Sequence, residues 1–195
     1  MHAPGYRIDW TTPAGVLLAL EPRLDEVAQH ADALAAAYND PRNAPLMGHE
    51  SAISSTEVVD HYEAMLDAGA HPFLLFRDGA FAGDADLRGV RDGAAEFAFM
   101  VASPGSQGKG LGTRFAIMLH AFAFQVVGLD HVFASVVPAN TASRRVFEKL
   151  GFTLDTSARA RSFADQDDDL TFGIDRVTFE GLHMGDLSEV RVAMR

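Results

Sequence analysis

The 195-residue chain carries 27 acidic residues against 16 Lys and Arg, a net charge of −11, and 48% hydrophobic residues. That apolar share supports a packed core and argues against disorder. The negative balance argues against nucleic acid or an anionic membrane as the main partner, since both need a cationic face. It mildly favours a cationic acceptor such as an amine or a basic protein, although solubility alone also accounts for it. The absence of cysteine excludes disulfides, thiolate metal sites and acyl transfer through a protein thioester. No apolar run approaches the length of about 18 residues expected of a membrane span, and Met1-His2-Ala3-Pro4 lacks a signal-peptide pattern. The chain therefore reads as soluble, cytoplasmic and, at this length, one domain over residues 1–195.

Residues 1–13, with Pro4, Gly5 and Pro13, read as an irregular arm. Gly15–Leu20 is short, apolar and branched and predicts a first strand. Pro22 introduces a helix from about Leu24 to Tyr38, with Leu24, Val27, Ala31, Leu34 and Tyr38 on one stripe. Asp25 and Glu26 fall in its first turn, where the helix dipole favours acids. After a loop over Asn39–Pro45, Ser54-x-x-Glu57 is a capping-box pattern that opens a second helix bearing Val58, Tyr62, Met65 and Leu66. Phe73–Arg77 predicts a second strand. Asp78-Gly79 turns into a third near Ala80–Arg88, and Asp92-Gly93 into a fourth at Ala94–Val101. A long helix over 110–127 stops at Gly128, His131–Val137 supplies a fifth strand, and a helix over Thr141–Leu150 stops at Gly151. Extended stretches around Phe152–Ala160, Arg176–Met184 and Val190–Met194 make residues 153–195 a strand-rich tail. The order predicts a mixed α/β fold.

One turn stands out: Gln107-Gly108-Lys109-Gly110-Leu111-Gly112-Thr113. The apolar stretch Phe97–Val101 precedes it, and Leu111, Phe115, Met118, Phe122 and Val126 follow at helical spacing. A glycine-rich turn between a strand and a helix presents backbone N–H groups where the dipole also attracts an anion, a cradle suited to a pyrophosphate. Two other cradles are excluded. The dinucleotide fingerprint would need glycine where Thr113 stands, and the P-loop would need Ser or Thr after Lys109, where Gly110 stands.

The remaining pattern, Gln-x-x-Gly-x-Gly on a strand–turn–helix, resembles the motif of the GNAT superfamily of acyl-CoA-dependent N-acyltransferases. A second block, Asn140-Thr-Ala-Ser143-Arg-Arg-Val-Phe147-Glu-Lys-Leu-Gly151-Phe152, is similar to that superfamily's Asn-x-x-Ser…Gly-Phe segment. Its form is most similar to the Rim-like branch, the ribosomal-protein N-terminal acetyltransferases. The likeness covers residues 94–152. It implies a GNAT fold, a central mixed but mostly antiparallel sheet of roughly six to seven strands flanked by about four helices, and acetyl-CoA as co-substrate. It is compatible with a homodimer.

The resemblance also implies roles for individual residues. Gln107, Gly108, Lys109, Gly110, Leu111, Gly112 and Thr113 would hold the pyrophosphate. Met100 and Val101 would pair with the pantetheine arm, with the N–H of Val101 polarising the thioester carbonyl. Asn140 and Ser143 would meet the pantetheine and the sulfur, although both residue types also serve as helix caps. Arg144 or Arg145 would meet the 3′-phosphate. Many family members carry a Tyr seven residues after the Asn as proton donor; here that position is Phe147, and Ser143 is the substitute.

From the residues themselves, Glu96 is the candidate general base, the only charged side chain in an apolar strand. Asp84 and Asp86 share one face of the preceding strand and are alternatives, or ligands for a cationic substrate. The eight histidines form no metal pattern. His183 is placed in a tail strand, and the run Asp165–Asp169 is read as a solvated loop, since it lacks the glycine and glutamate of a calcium loop. The sequence thus predicts an acetyl-CoA-dependent N-acetyltransferase acting directly on a primary amine, with a non-catalytic acyl-CoA-binding module as the alternative and no metal.

Overall fold

The computed structural model describes residues 5–46, 51–102 and 110–195. Alternation along β1 (Tyr6–Thr12) sends Ile8 and Trp10 into the core at 0% and 4% exposure. This corrects the expectation of an irregular arm. Pro13 does not interrupt the ladder because it sits in the tight turn to β2 (Gly15–Leu20), where Thr12 faces Gly15. The missed signal was the period-2 placing of Ile8, Trp10 and Thr12.

Helix α1 (Leu24–Tyr38) forms where expected, and Glu26 reaches back to the Arg23 N–H at 2.9 Å. Helix α2 (Ser55–Asp67) opens on the capping box read from the sequence: Ser54 Oγ accepts the Glu57 N–H, and Glu57 accepts the Ser54 N–H at 2.7 Å. Strands β3 (His71–Arg77), β4 (Ala80–Arg91) and β5 (Ala94–Val101) follow as two hairpins. Both turns take positive φ at two successive residues, Asp78 and Gly79, then Asp92 and Gly93, as hairpin turns of the primed type require.

Helix α3 (Leu111–Phe122) runs on through one π-helical turn, Ala123–Val127, to Gly128 in the left-handed region. Strand β6 (His131–Val136) leads to α4 (Thr141–Leu150), which Gly151 ends at φ 90°. The rest comprises β7 (Thr153–Leu154), α5 (Ala158–Arg161), β8 (Leu170–Asp175), α6 (Arg176–Glu189) and β9 (Arg191–Met194). The tail is therefore not strand-rich, since residues 176–189 are helical. Asp175 caps α6 by accepting the Thr178 N–H at 2.9 Å. Gly181, Gly185 and the branched Val177 and Thr178 weaken the helical signal there, and burial of Phe179 at 0% exposure supplies what propensity lacks.

The sheet order is β7-β8-β6-β5-β4-β3-β2-β1-β9. Among the described residues only β5 and β6 pair in parallel. The described residues form nine strands, more than the expected six to seven; β1 and β8 fall where the sequence reading placed no strand. The described residues likewise form six α-helices rather than about four. Helices α3 and α6 cover one face, with Phe115, Met118, Phe122 and Phe179 in the larger core. Helices α1 and α2 cover the other, with Leu34, Val58, Tyr62 and Met100. No helix among the described residues is long and apolar enough to cross a membrane.

His120, on α3, is wholly buried beside the rings of Phe97 and Phe179 at 4.8 and 4.7 Å. Its Nδ1 lies 2.6 Å from the Ala116 carbonyl. A carbonyl can only accept, so Nδ1 carries the hydrogen and Nε2 keeps a lone pair without a partner among the described residues. Burial pushes its pKa down to about 4. A folded pKa below the unfolded value means that stability is lost as pH falls from about 6.5 towards 4. His120→Leu is expected to remove about 2 kcal/mol of that acid-side loss, read as a flatter difference in urea midpoints between pH 7 and pH 4.

Candidate active site

β5 and β6 pair only at Ala94–His131, Ala95–Val132 and Glu96–Phe133, whereas β5 stays paired with β4 as far as Val101. Beyond Glu96 the parallel strands separate, and the β6-facing edge of Phe97–Val101 is left open. The Ala102 N–H donates to the Ala82 carbonyl at 2.8 Å, towards β4. Amides alternate along an extended strand, so the N–H of Val101 is turned to the open edge. Two helix N-termini face the gap: α3, entered at Gly110 in the left-handed region at φ 74°, and α4, capped by Asn140.

The gap holds a cavity of about 540 Å³ whose lining includes Met100, Val101, Gly110, Leu111, Gly112, Thr113, Asn140 and Ser143. Gly112 packs closely: a Cβ there would lie 3.0 Å from the Phe99 ring, which would have to shift slightly. Asn140 Oδ1 accepts the Ser143 N–H at 3.0 Å, so the Asn is a helix cap as well as a cavity wall. Arg42, Arg145 and Lys149 also line this cavity, and no carboxylate does among the described residues. Arg144 is not in the lining, and its Nε is buried without a hydrogen bond. Gln107, Gly108 and Lys109 lie outside the described residues.

A second cavity, of about 460 Å³, shares Leu46, Phe99, Met100, Asn140 and Ser143 with the first. Its charge is opposite: Glu57, Asp84, Asp86, Asp165 and Asp169 against Arg88. The acids come from three places. β4 supplies Asp84 and Asp86, opposite Met100 and Ala98 of β5. Helix α2 supplies Glu57. The segment between α5 and β8 supplies the other two, so part of the Asp165–Asp169 run forms a cavity wall and is not simply solvated. Asp169 is 6% exposed and accepts from Ser135 Oγ at 2.7 Å, and the same oxygen accepts the Asp165 N–H at 2.9 Å.

Asp84 is 6% exposed and accepts two tyrosine hydroxyls, Tyr38 from α1 and Tyr62 from α2, the latter at 2.9 Å. Burial pushes its pKa up to about 7 against the pull of those hydroxyls. Glu96 is also 6% exposed, with its pKa pushed up to about 7 by burial, and Arg88 acts in the opposite direction. Arg88 holds Glu96 through Nε at 3.1 Å and Nη2 at 3.2 Å, and holds Asp165 at 2.9 Å. Glu96 does not line either cavity.

Phe147 is 2% exposed, packed near Phe99 and Phe152, so no hydroxyl approaches from that position. His183 lies in α6 rather than in a strand, 3.1 Å from the Leu150 carbonyl and away from both cavities. The sequence reading missed the two tyrosine hydroxyls and Arg88. The tyrosines were legible as members of apolar helical stripes; their convergence on one carboxylate was not. Among the described residues no cluster is arranged to hold a metal ion.

Residues 23–153 match the family model described as an acetyltransferase (GNAT) domain. Solved structures of the same fold include RimJ of Mycobacterium smegmatis in complex with CoA-disulfide, at 21% identity and TM-score 0.71, covering 98% of this chain and 99% of that one. Aminoglycoside acetyltransferase AAC(6')-Ib in complex with coenzyme A follows at 18% identity and TM-score 0.68, covering 85% and 98%. An uncharacterized protein from Bacillus halodurans gives TM-score 0.74 at 13% identity, covering 92% and 95%. No curated protein matches the sequence.

A carboxyl whose folded pKa is raised favours the protonated form, so folding loses stability as pH rises from about 4 to about 7. Asp84→Asn keeps an oxygen for both tyrosines and cannot ionise. Its stability relative to the parent protein is expected to grow by about 2 kcal/mol across that window and stay level above it, measured by urea unfolding at pH 4.5 and pH 8.

Proposed function

Because the chain belongs to the GNAT acetyltransferase family, we propose that it moves an acetyl group from acetyl-CoA directly to a primary amine, on a protein N-terminus or a small molecule. One observation carries this reading. Two cavities of opposite charge share a wall at Met100, Asn140 and Ser143. An anionic cofactor suits the side with three cationic side chains, and a cationic amine suits the side with five carboxylates. A reacting pair so divided needs to meet only at the shared wall, which is how positioning lowers a barrier.

The residues fit acetyl-CoA. Gly110 turns the chain through the left-handed region so that the first amides of α3 are free for an anion, and a Cβ is absent where phosphate oxygens would approach. Arg145 and Lys149, one turn apart on α4, add charge on the same side. The cofactor supplies the activated acyl thioester. The N–H of Val101 would donate to the thioester carbonyl oxygen, a role worth several kcal/mol, on the order of 3. Ser143, at the shared wall, would stand near the leaving sulfur. A carboxylate on the paired β4–β5 face accepts the amine's proton; Asp84, Asp86 and Glu96 are the three there. With no cysteine, the amine attacks in a ternary complex and not through an acyl-enzyme.

The test is coenzyme A release from acetyl-CoA, followed with a thiol reagent against basic peptides, polyamines and aminoglycosides. Amine-dependent release is expected. Acetyl-CoA raising the melting temperature without release on any amine would instead support a binding module, which the lack of a hydroxyl at Phe147 favours. Replacing Gly110 by Val is expected to weaken acetyl-CoA binding at least about tenfold, read by calorimetry. The cause is that a branched residue is strained at positive φ and crowds the amides.

A further inference from the structure

Three carboxylates stand on the paired face of β4 and β5: Asp84 opposite Met100, Asp86 opposite Ala98, and Glu96 opposite Arg88. A proton acceptor for the amine must line the acceptor cavity and keep a lone pair free. Glu96 fails the first demand, since it lines neither cavity, and both its oxygens already accept from Arg88. Asp84 lines the cavity, but its Oδ2 already takes two tyrosine hydroxyls. Asp86 lines the cavity with a side chain 16% exposed, and its Oδ1, buried at the inner side of the carboxyl, accepts no hydrogen bond among the described residues. The nearest cation, Arg88 Nε, stands 3.6 Å away, beyond a hydrogen bond but close enough to favour the ionised form.

We propose that Asp86 accepts the amine's proton, and that Arg88 is the positioning residue that leaves Asp86 available by committing its own donors to Glu96 and Asp165. Arg88 joins three segments this way: β4, β5 and the wall between α5 and β8. Its guanidinium is the only Lys or Arg charge among the cavity's lining residues. It therefore sets the electrostatics of Asp86 while donating its hydrogen bonds elsewhere. Per turnover the ammonium gives up two protons as the C–N bond forms. One passes to Asp86 and on to water. The other ends on the sulfur, which leaves with the electron pair of the broken C–S bond. The groups facing Asp86 are Asp84 and Arg88 on its own strand, Glu96 on β5, Glu57 and His61 on α2, Tyr38 on α1, and Asp165 and Asp169 on the wall. Burial raises the Asp86 carboxyl to about 6, with Arg88 holding it back.

This assignment rests on the N-acetyltransferase reading, so its experiment has one arm that needs turnover and one that does not. In the first arm, Asp86→Asn is expected to lower kcat by about a hundredfold or more, and Glu96→Gln by less than about tenfold. Arg88→Gln is expected to move the acid limb of kcat/KM to higher pH by about one unit, and Arg88→Lys to restore most of it. A purely structural Arg88 would lower the melting temperature and leave the limb in place. In the second arm, carboxyl-carbon NMR of the full chain follows Asp86 without substrate. A titration near pH 6 that rises in Arg88→Gln is expected. An Asp86 that titrates below pH 5, or a Glu96→Gln as damaging as Asp86→Asn, overturns the assignment. A chain with no turnover on any amine but the expected Asp86 titration would overturn the proposed function while supporting Arg88's hold on Asp86.

Discussion

β5 leaves β6 after three paired residues, and the site exists because of that separation. A parallel pair continued to Val101 would satisfy every amide on both edges and fill the space that the first cavity occupies. Instead β4 keeps β5 paired as far as Val101, while the other edge is unpaired. An unpaired edge inside a protein is costly unless something meets it. Here it opens on a space bounded by two helix N-termini, where a ligand with carbonyl and amide groups can pair with it and its anionic end can meet free amides.

Around that separation the molecule divides its charge. A chain with net charge −11 nonetheless keeps carboxylates out of the first cavity's described lining and concentrates them in the second. Several of the acids on this face are held by partners. Asp84 is held by two helices through Tyr38 and Tyr62, Asp169 by Ser135, and Glu96 and Asp165 by one guanidinium. For Asp84 and Glu96 these partners pull against the pKa rise that burial imposes. Asp84 and Glu96 thereby come to about 7, where a proton can be taken up and given back.

The folding of α6 onto α3 shows the same economy of partners. His120 sits among aromatic rings with one nitrogen bonded to its own helix, and His183 of α6 bonds the end of α4. These two histidines are thus packing elements between helices. The tail closes the fold by a different route: β9 pairs with β1, so the edge that the sequence reading left as a loose arm is covered on both sides.

The sequence alone was enough for the elements whose signals are local. Glycines at positive φ, the Ser54–Glu57 box and the periodic apolar stripes depend on residues within a few positions of one another. They placed α1, α2, α4 and the glycine-led start of α3. Two short motifs were also enough for the family. The sequence left open whatever depends on residues far apart in the chain. Propensity spoke against α6, and the burial of Phe179 together with the Asp175 cap supports it. The Tyr38–Asp84–Tyr62 contact joins positions 46 and 22 residues apart. The Arg88–Asp165 contact spans 77. A strand's alternation says which side chains share a face, but it does not say which of them another segment will bind. For that reason the sequence put Glu96 first with Asp84 and Asp86 as alternatives, and the packing of α1, α2 and the Asp165–Asp169 segment over the sheet decided which partners each of them holds.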